Sequence, residues 1–255
     1  MRIIFKSVLL IFFLTISCAK DDSIDNTINS SNYNFKQQVG YSANDILSNK
    51  KFTDLYIEVM YVDGFKPSAE TLTNLKNFIG SRTYKSNIII EERLINIALK
   101  SVYSMEDVRS IEDANRSIFS FENQLAISAL FLNGKSSSDT ESTTILGTAY
   151  RNTSFVIYEE TISAASSNIL GSSKITLEST VILHEFCHLL GLVNLGTNMV
   201  VNHEDTSHSA HCTVENCLMY YLIENGKNVP HWVNDTQIPQ LDAYCINDLR
   251  ANGGK

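Results

Sequence analysis

An α+β fold is predicted by three features of this sequence. The segments read strand, helix, strand, helix, three strands and then one long apolar helix, which is not a regular strand–helix alternation. That apolar helix comes late, over residues 174–192, and carries the most chemically loaded residues of the chain. Beyond Gly191 the pattern is irregular until a last helical stretch.

Each element has a local cause. Order is expected from "YSANDILSNKKF" onward. Residues 55–62 alternate and are rich in β-branched and aromatic side chains, which makes a strand. Pro67 then precedes a helical spacing of Leu72, Leu75, Phe78 and Ile79 that stops at Gly80. "NIIIEERLI" is a second strand, and "SMEDVRSIEDANRSIF" a helix with Ser104 as N-cap and carboxylates in its first turn. "QLAISALFLNG", "TTILGTAY" and "TSFVIYEE" are three further strands, with "KSSSDTES" a solvated loop between the first two. "KITLESTVILHEFCHLLGL" is the apolar helix, and "PQLDAYCINDLRANGGK" a closing helix capped by Gly253 or Gly254. No internal repeat is visible.

The first 17 residues read as targeting rather than fold. Arg2 and Lys6 flank an apolar run at residues 8–16, too short to span a bilayer, followed by Ser17 and Cys18. The cysteine at the cut resembles a bacterial lipobox, which implies removal of residues 1–17 and lipidation of Cys18. The following "AKDD" resembles the export tag of surface lipoproteins in some Gram-negative bacteria. Residues 18–37, rich in Ser, Asn and Asp, then form a flexible tether, and residues 38–255 a single domain. The implied location is the bacterial outer membrane, with exposure at the cell surface as an option. Loss of Arg2 and Lys6 leaves 18 basic residues against 28 acidic ones, a net charge near −10. Such a chain is a poor partner for nucleic acid, which needs clustered cations to neutralise phosphate. Membrane attachment is expected through the lipid alone.

Within the apolar helix stands "HEFCHLLG". Residues i and i+4 share a helix face, so His184 and His188 can reach one ion, while Glu185 is rotated by about 100° to stand beside it. Zinc held by neutral nitrogens lowers the pKa of a bound water to roughly 7. Glu185 can accept that water's proton as general base and pass it to a departing amine. Gly191 permits a sharp turn, so a third ligand can arrive from outside the helix. The residues themselves leave that ligand open among His203, His208, His211 and the carboxylates of "NHED".

The motif resembles that of the metzincin metallopeptidases, H-E-x-x-H-x-x-G-x-x-H/D followed by a methionine turn. Asn194 occupies the position of the third ligand, and a carboxamide is a weak zinc ligand. Downstream, "HCTVENCLM" is similar to the archaemetzincin tail H-C-x4-C-x-M. The resemblance therefore implies a third ligand at His211, delivered after an insertion over residues 193–210, and a Met-turn at Met219. It also implies a zincin fold with a mixed sheet, helices above the cleft and an irregular lower part ending in a helix. Tyr221 stands where related families carry a tyrosine near the zinc, and is a candidate donor to the developing oxyanion.

Cysteines Cys212, Cys217 and Cys245 correspond to three of the four that hold a second, structural zinc in archaemetzincins, with Asp248 in place of the fourth. A Cys3Asp zinc site is one reading, and a disulfide involving Cys245 is the expectation for an exported protein. The activity implied is a zinc-dependent endopeptidase acting on protein or peptide substrates, extended along an edge strand between residues 124 and 159. The alternative is a surface-anchored binding lipoprotein whose zinc is structural and non-catalytic.

Overall fold

The computed structural model describes residues 33–168, 173–226 and 237–255; residues 1–17, which the sequence suggests are a targeting segment, and Cys18 lie outside the described residues. A five-stranded mixed sheet forms the centre. Its strands are β1 (Asp54–Tyr61), β2 (Asn87–Leu94), β4 (Gln124–Leu132), β6 (Gly147–Arg151) and β7 (Ser154–Tyr158), in the order β2-β1-β4-β7-β6. The first four in that order run parallel, and β6 returns antiparallel to β7 as the edge. Central β4 is buried almost throughout, because both faces of a parallel sheet are covered and its sequence is a continuous apolar run.

Helix α2 (Ala69–Arg82) starts at Ser68, whose side chain accepts from Thr71 N–H, and it packs on α5 (Lys174–Leu189). Helix α3 (Met105–Asn115) has the expected Ser104 cap as a full capping box with Asp107. Helix α5 is buried from Thr176 through Leu189, so it can be apolar all round. Its N-cap is Ser173, and it lies against β6 and β7. The last helix, α6 (Ala243–Ala251), is capped by Asp242, and beyond it Gly253 takes φ 95° while Gly254 N–H bonds Leu249 C=O. Among the described residues no helix is long and apolar enough to cross a membrane.

Several expectations need correction. Helix α2 runs through Gly80 to Arg82, because packing of Phe78 and Ile79 outweighs one glycine's weak helix propensity. The last of the three strands stops at Tyr158, and α4 (Glu159–Asn168) follows at once; its Ser- and Ala-rich sequence gives a weak helical pattern. The solvated loop contains β5 (Lys135–Ser136), paired with β3 (Val102–Tyr103). A short helix, α1 (Ala43–Leu47), opens the ordered part. Chain contacts begin inside the stretch that composition assigns to the tether. Tyr33 bonds Ser42 and Asp45 and sits edge-on against Phe52, and Lys36 pairs with Asp113.

Candidate metal centre

The helix periodicity of α5 brings His184 and His188 together, with their Nε2 atoms 3.1 Å apart. His184 Nδ1 donates to Leu218 C=O at 2.7 Å, which fixes the tautomer and turns the Nε2 lone pair toward the cluster. Helix α5 ends because Gly191 takes φ 73°, and a side chain there would strike Thr197 N at 2.7 Å. Asn194, at the position where the uninterrupted motif places its third ligand, is exposed and donates to Glu204 Oε2 at 3.2 Å. It ties down the insertion instead of joining the cluster.

The insertion returns as a short antiparallel pair. Glu204 bridges Cys212, Thr213 N–H bonds His203 C=O, and Asp205 N–H bonds His211 C=O. Glu204 also accepts from Ser209 Oγ and Ala210 N–H, and these contacts hold its carboxyl below the usual range. Ala210 is left at φ 69°, an uncommon conformation for a residue with a Cβ, and the chain leaves it with His211 facing the helix. The His211 ring stacks on His184 (centroids 5.2 Å, 16°) and meets His188 edge-on at 5.2 Å. Its Nδ1 donates to Ser209 C=O at 3.0 Å, so Nε2 is again the lone-pair nitrogen.

The three histidines present ligand atoms within 4.8 Å of one another. Burial is the main cause that drives their pKa values down, to about 3 for His184 and well below the usual value for His188, with neighbouring imidazoles adding to it. His211 is also lowered by burial. Three neutral imidazoles with converging lone pairs fit a metal ion of the zinc type, which is bound by neutral nitrogen.

Glu185 is fully buried beside them, and its Oε2 accepts Ala149 N–H at 2.7 Å. Tyr158 N–H bonds Leu146 C=O, so alternate residues of β6 face β7, and Gly147 and Ala149 turn their backbone groups outward. Gly147 makes the approach of Glu185 feasible, since a Cβ there would lie 2.8 Å from Glu185 Cγ. A cavity of about 260 Å³ opens here, with Glu185, His188 and His211 in its wall. A larger cavity, about 340 Å³ and lined by Lys135, Asp139 and Glu160, holds no imidazole or thiol.

The other candidates fall elsewhere. His208 is exposed, bonds Asp205, and stacks on Tyr221 (centroids 3.5 Å, 8°). Tyr221 opens a 3-10 turn, Tyr221–Glu224, and is not among the residues lining the 260 Å³ cavity. Met219 is buried in the segment whose Leu218 carbonyl orients His184, and its own carbonyl accepts Cys212 N–H.

His203 joins a second cluster with Cys212, Asp242 and Cys245, again with ligand atoms within 4.8 Å. His203 Nδ1 lies 3.2 Å from Cys212 Sγ, and Cys217 Sγ lies 3.7 Å from Cys245 Sγ. The disulfide expected at Cys245 is not formed: Cys187, Cys212, Cys217 and Cys245 are all free, and 3.7 Å far exceeds a bonded S–S distance of about 2.05 Å. Nor does Asp248 turn to the thiols. Its Oδ2 accepts from His203 Nε2 at 2.8 Å and its Oδ1 from Val200 N–H at 2.7 Å. Hydrogen bonds from the Cys212 and Cys245 thiols hold Cys217 well below the usual thiol range.

Sequence reasoning missed Leu218, Ala149, Gly147 and the His203–Asp248 pair, and it held Glu204 in view as a possible ligand where the structure shows it bracing the loop. Leu218, Ala149 and Gly147 act through backbone groups or side-chain absence, for which a single sequence carries no signal. His203 was in view among the candidate ligands, though not for this cluster.

A mixed sheet with an antiparallel edge strand, a buried histidine helix packed against it and an irregular lower part make an α+β fold. The solved archaemetzincin of Methanopyrus kandleri shares this fold, with a TM-score of 0.50 over 78% of this chain and 96% of that one, at 13% identity. The archaemetzincin of Archaeoglobus fulgidus, solved with malonate, gives 0.41 at 13% identity over 76% of this chain and 99% of that one. A zinc-dependent peptidase of Methanocorpusculum labreanum gives 0.44 at 14% identity over the same shares. No protein-family model matches the chain, and no curated protein does.

Proposed function

We propose that this chain is a zinc-dependent endopeptidase in which His184, His188 and His211 hold the metal and Glu185 is the general base. The observation that carries this reading is the convergence of three neutral imidazoles and one buried carboxylate on a single cavity. Zinc bound there would supply Lewis acidity toward a carbonyl and a water ionising near pH 7. Glu185, braced through Oε2 by Ala149 N–H, takes the proton from the attacking water and returns it to the leaving amine. A peptide adds as an extended strand along β6, the edge of the sheet among the described residues, using the outward backbone groups of Gly147 and the Ala149 carbonyl, since Ala149 N–H is taken by Glu185. The Methanopyrus kandleri structure that shares this fold is named an archaemetzincin, which agrees with the reading at the level of the fold.

A second zinc belongs to the same proposal, with a donor set different from the one the sequence suggests. Cys212, Cys217, Cys245 and His203 make a Cys3His set of the structural zinc type, and Asp248 orients His203 through Nε2–H. Asp242 lies close, 3.1 Å from Cys212 Sγ, but its other oxygen caps α6.

Cleavage of a casein-type substrate by zinc-loaded protein, with Glu185→Gln as control, tests the enzyme. Retained zinc and a loss of 10²-fold or more in the variant is expected. Equal cleavage by both proteins removes Glu185 from the mechanism, and zinc binding without any cleavage favours the binding lipoprotein. Export and outer-membrane anchoring through Cys18 rest on residues 1–18 alone. Incorporation of labelled palmitate that disappears in Cys18→Ser is the expected result.

A further inference from the structure

The cavity beside the imidazoles has a polar wall and an apolar one, and the apolar wall comes from two segments that carry no ligand. Val39 belongs to the stretch ahead of α1, and Leu195 to the turn after Gly191. The Val39 segment is fastened across the end of the sheet edge. Asn152 N–H bonds Gln37 C=O at 3.0 Å, Gln37 N–H bonds Asn152 Oδ1 at 3.1 Å, and Asn152 Nδ2 donates to Asn34 C=O at 3.0 Å. It is also clamped to the Leu195 turn, because a side chain at Gly40 would lie 1.6 Å from the Leu195 carbonyl oxygen. Two segments far apart in sequence thus line the same cavity as Glu185, together with Thr148 and the small side chains of Ala149 and Ala210.

We infer that Val39 and Leu195 form the side-chain pocket that selects substrate, and that it takes a medium-sized aliphatic residue next to the scissile bond. This rests on the peptidase reading and names its substrate class. A Lys or Asp side chain entering here would lose its hydration and meet no fixed counter-charge, since the charged and imidazole groups of the wall are committed to the metal and the proton. An apolar side chain matches the Val39 and Leu195 part of the wall, and because the 260 Å³ is shared with the reacting carbonyl, a leucine-sized one leaves more room than a large aromatic one. The residues that join the domain to its tether therefore take part in recognition.

Binding and cleavage can be read separately. Zinc-loaded protein is titrated calorimetrically with short peptide hydroxamates ending in leucine, phenylalanine, lysine or aspartate, and the matching peptides are tested for cleavage. Wild type is expected to prefer leucine over lysine and aspartate by about 10-fold or more. Val39→Ala and Leu195→Ala are expected to lose about 10-fold on leucine, gain on phenylalanine and keep their zinc content. An indifferent wild-type profile, or the same profile in both variants, overturns the pocket. Leucine-selective binding without cleavage keeps the pocket and overturns the peptidase.

Discussion

His211 and Cys212 are neighbours in the chain yet face different clusters: the His211 ring stacks on His184, while Cys212 Sγ lies 3.2 Å from His203 Nδ1. Successive residues of an extended segment point to opposite sides, so one short strand-like pair serves both clusters. Its position is set by Glu204 on one side and by Met219 C=O, which accepts Cys212 N–H, on the other.

The two clusters should therefore separate on mutation. Metal analysis of zinc-reconstituted protein is expected to give two zinc ions per chain. His203→Ala should lose the one at the thiols and lower the unfolding temperature by several degrees. His211→Ala should lose the other and leave the unfolding temperature within a few degrees of wild type. Loss of both ions in His211→Ala, or neither in His203→Ala, would contradict the assignment.

Gly147→Ala isolates the placement of the base. The added methyl would sit 2.8 Å from Glu185 Cγ, so the carboxylate must move while the imidazoles keep their positions. An unchanged zinc content with kcat/KM reduced by about 10²-fold is expected.

Tyr221→Phe tests whether the phenol takes part in the reaction. Its ring is held by His208 at 3.5 Å, and it is not in the cavity wall. The expected change in kcat/KM is less than about 3-fold, whereas an oxyanion donor would cost about 10²-fold or more.

Glu159 gives the stability a pH signature. Burial, followed by the neighbouring Glu178, raises its pKa to about 8, against an opposing contribution from Lys174 at 2.5 Å. Because folding raises this pKa, the folded chain holds the extra proton between about pH 4.5 and 8. The stabilisation is complete below pH 4.5 and is lost as pH rises through 8. Glu159→Gln, a neutral isostere, should unfold at a higher temperature than wild type at pH 9 and differ little at pH 4.5, by a few kcal/mol at most. Parallel pH profiles for the two proteins would refute it.

The parts of the centre that could be read directly are those written within one turn of helix. His184 and His188 share a face by spacing alone, Glu185 stands beside them for the same reason, and Gly191 announces the turn. Ser104 and Asp107 likewise give their capping box from four consecutive residues. Helix α4 was missed because its helicity comes from packing on α5, which leaves no strong period in "EETISAASSN". The disulfide expected at Cys245, and Asp248 as the alternative fourth ligand, both followed from spacing alone, which cannot show that His203, 45 residues before Asp248, stands between it and the thiols.

By itself, then, the sequence determined the histidine pair, the glutamate beside it and the acidic charge, all of them local or compositional properties. Among His203, His208 and His211 it offered three imidazoles on one irregular loop, each able to reach back. Only the tertiary structure decided among them, through the positive φ of Ala210, the Glu204 brace and the pairing of residues 203–205 with 211–213. It also decided that β6 is the edge and that Val39 and Leu195 line one cavity. The physical reason is that a helix fixes neighbours three and four residues apart, whereas a loop's side chains are aimed by contacts with distant chain that no spacing rule encodes.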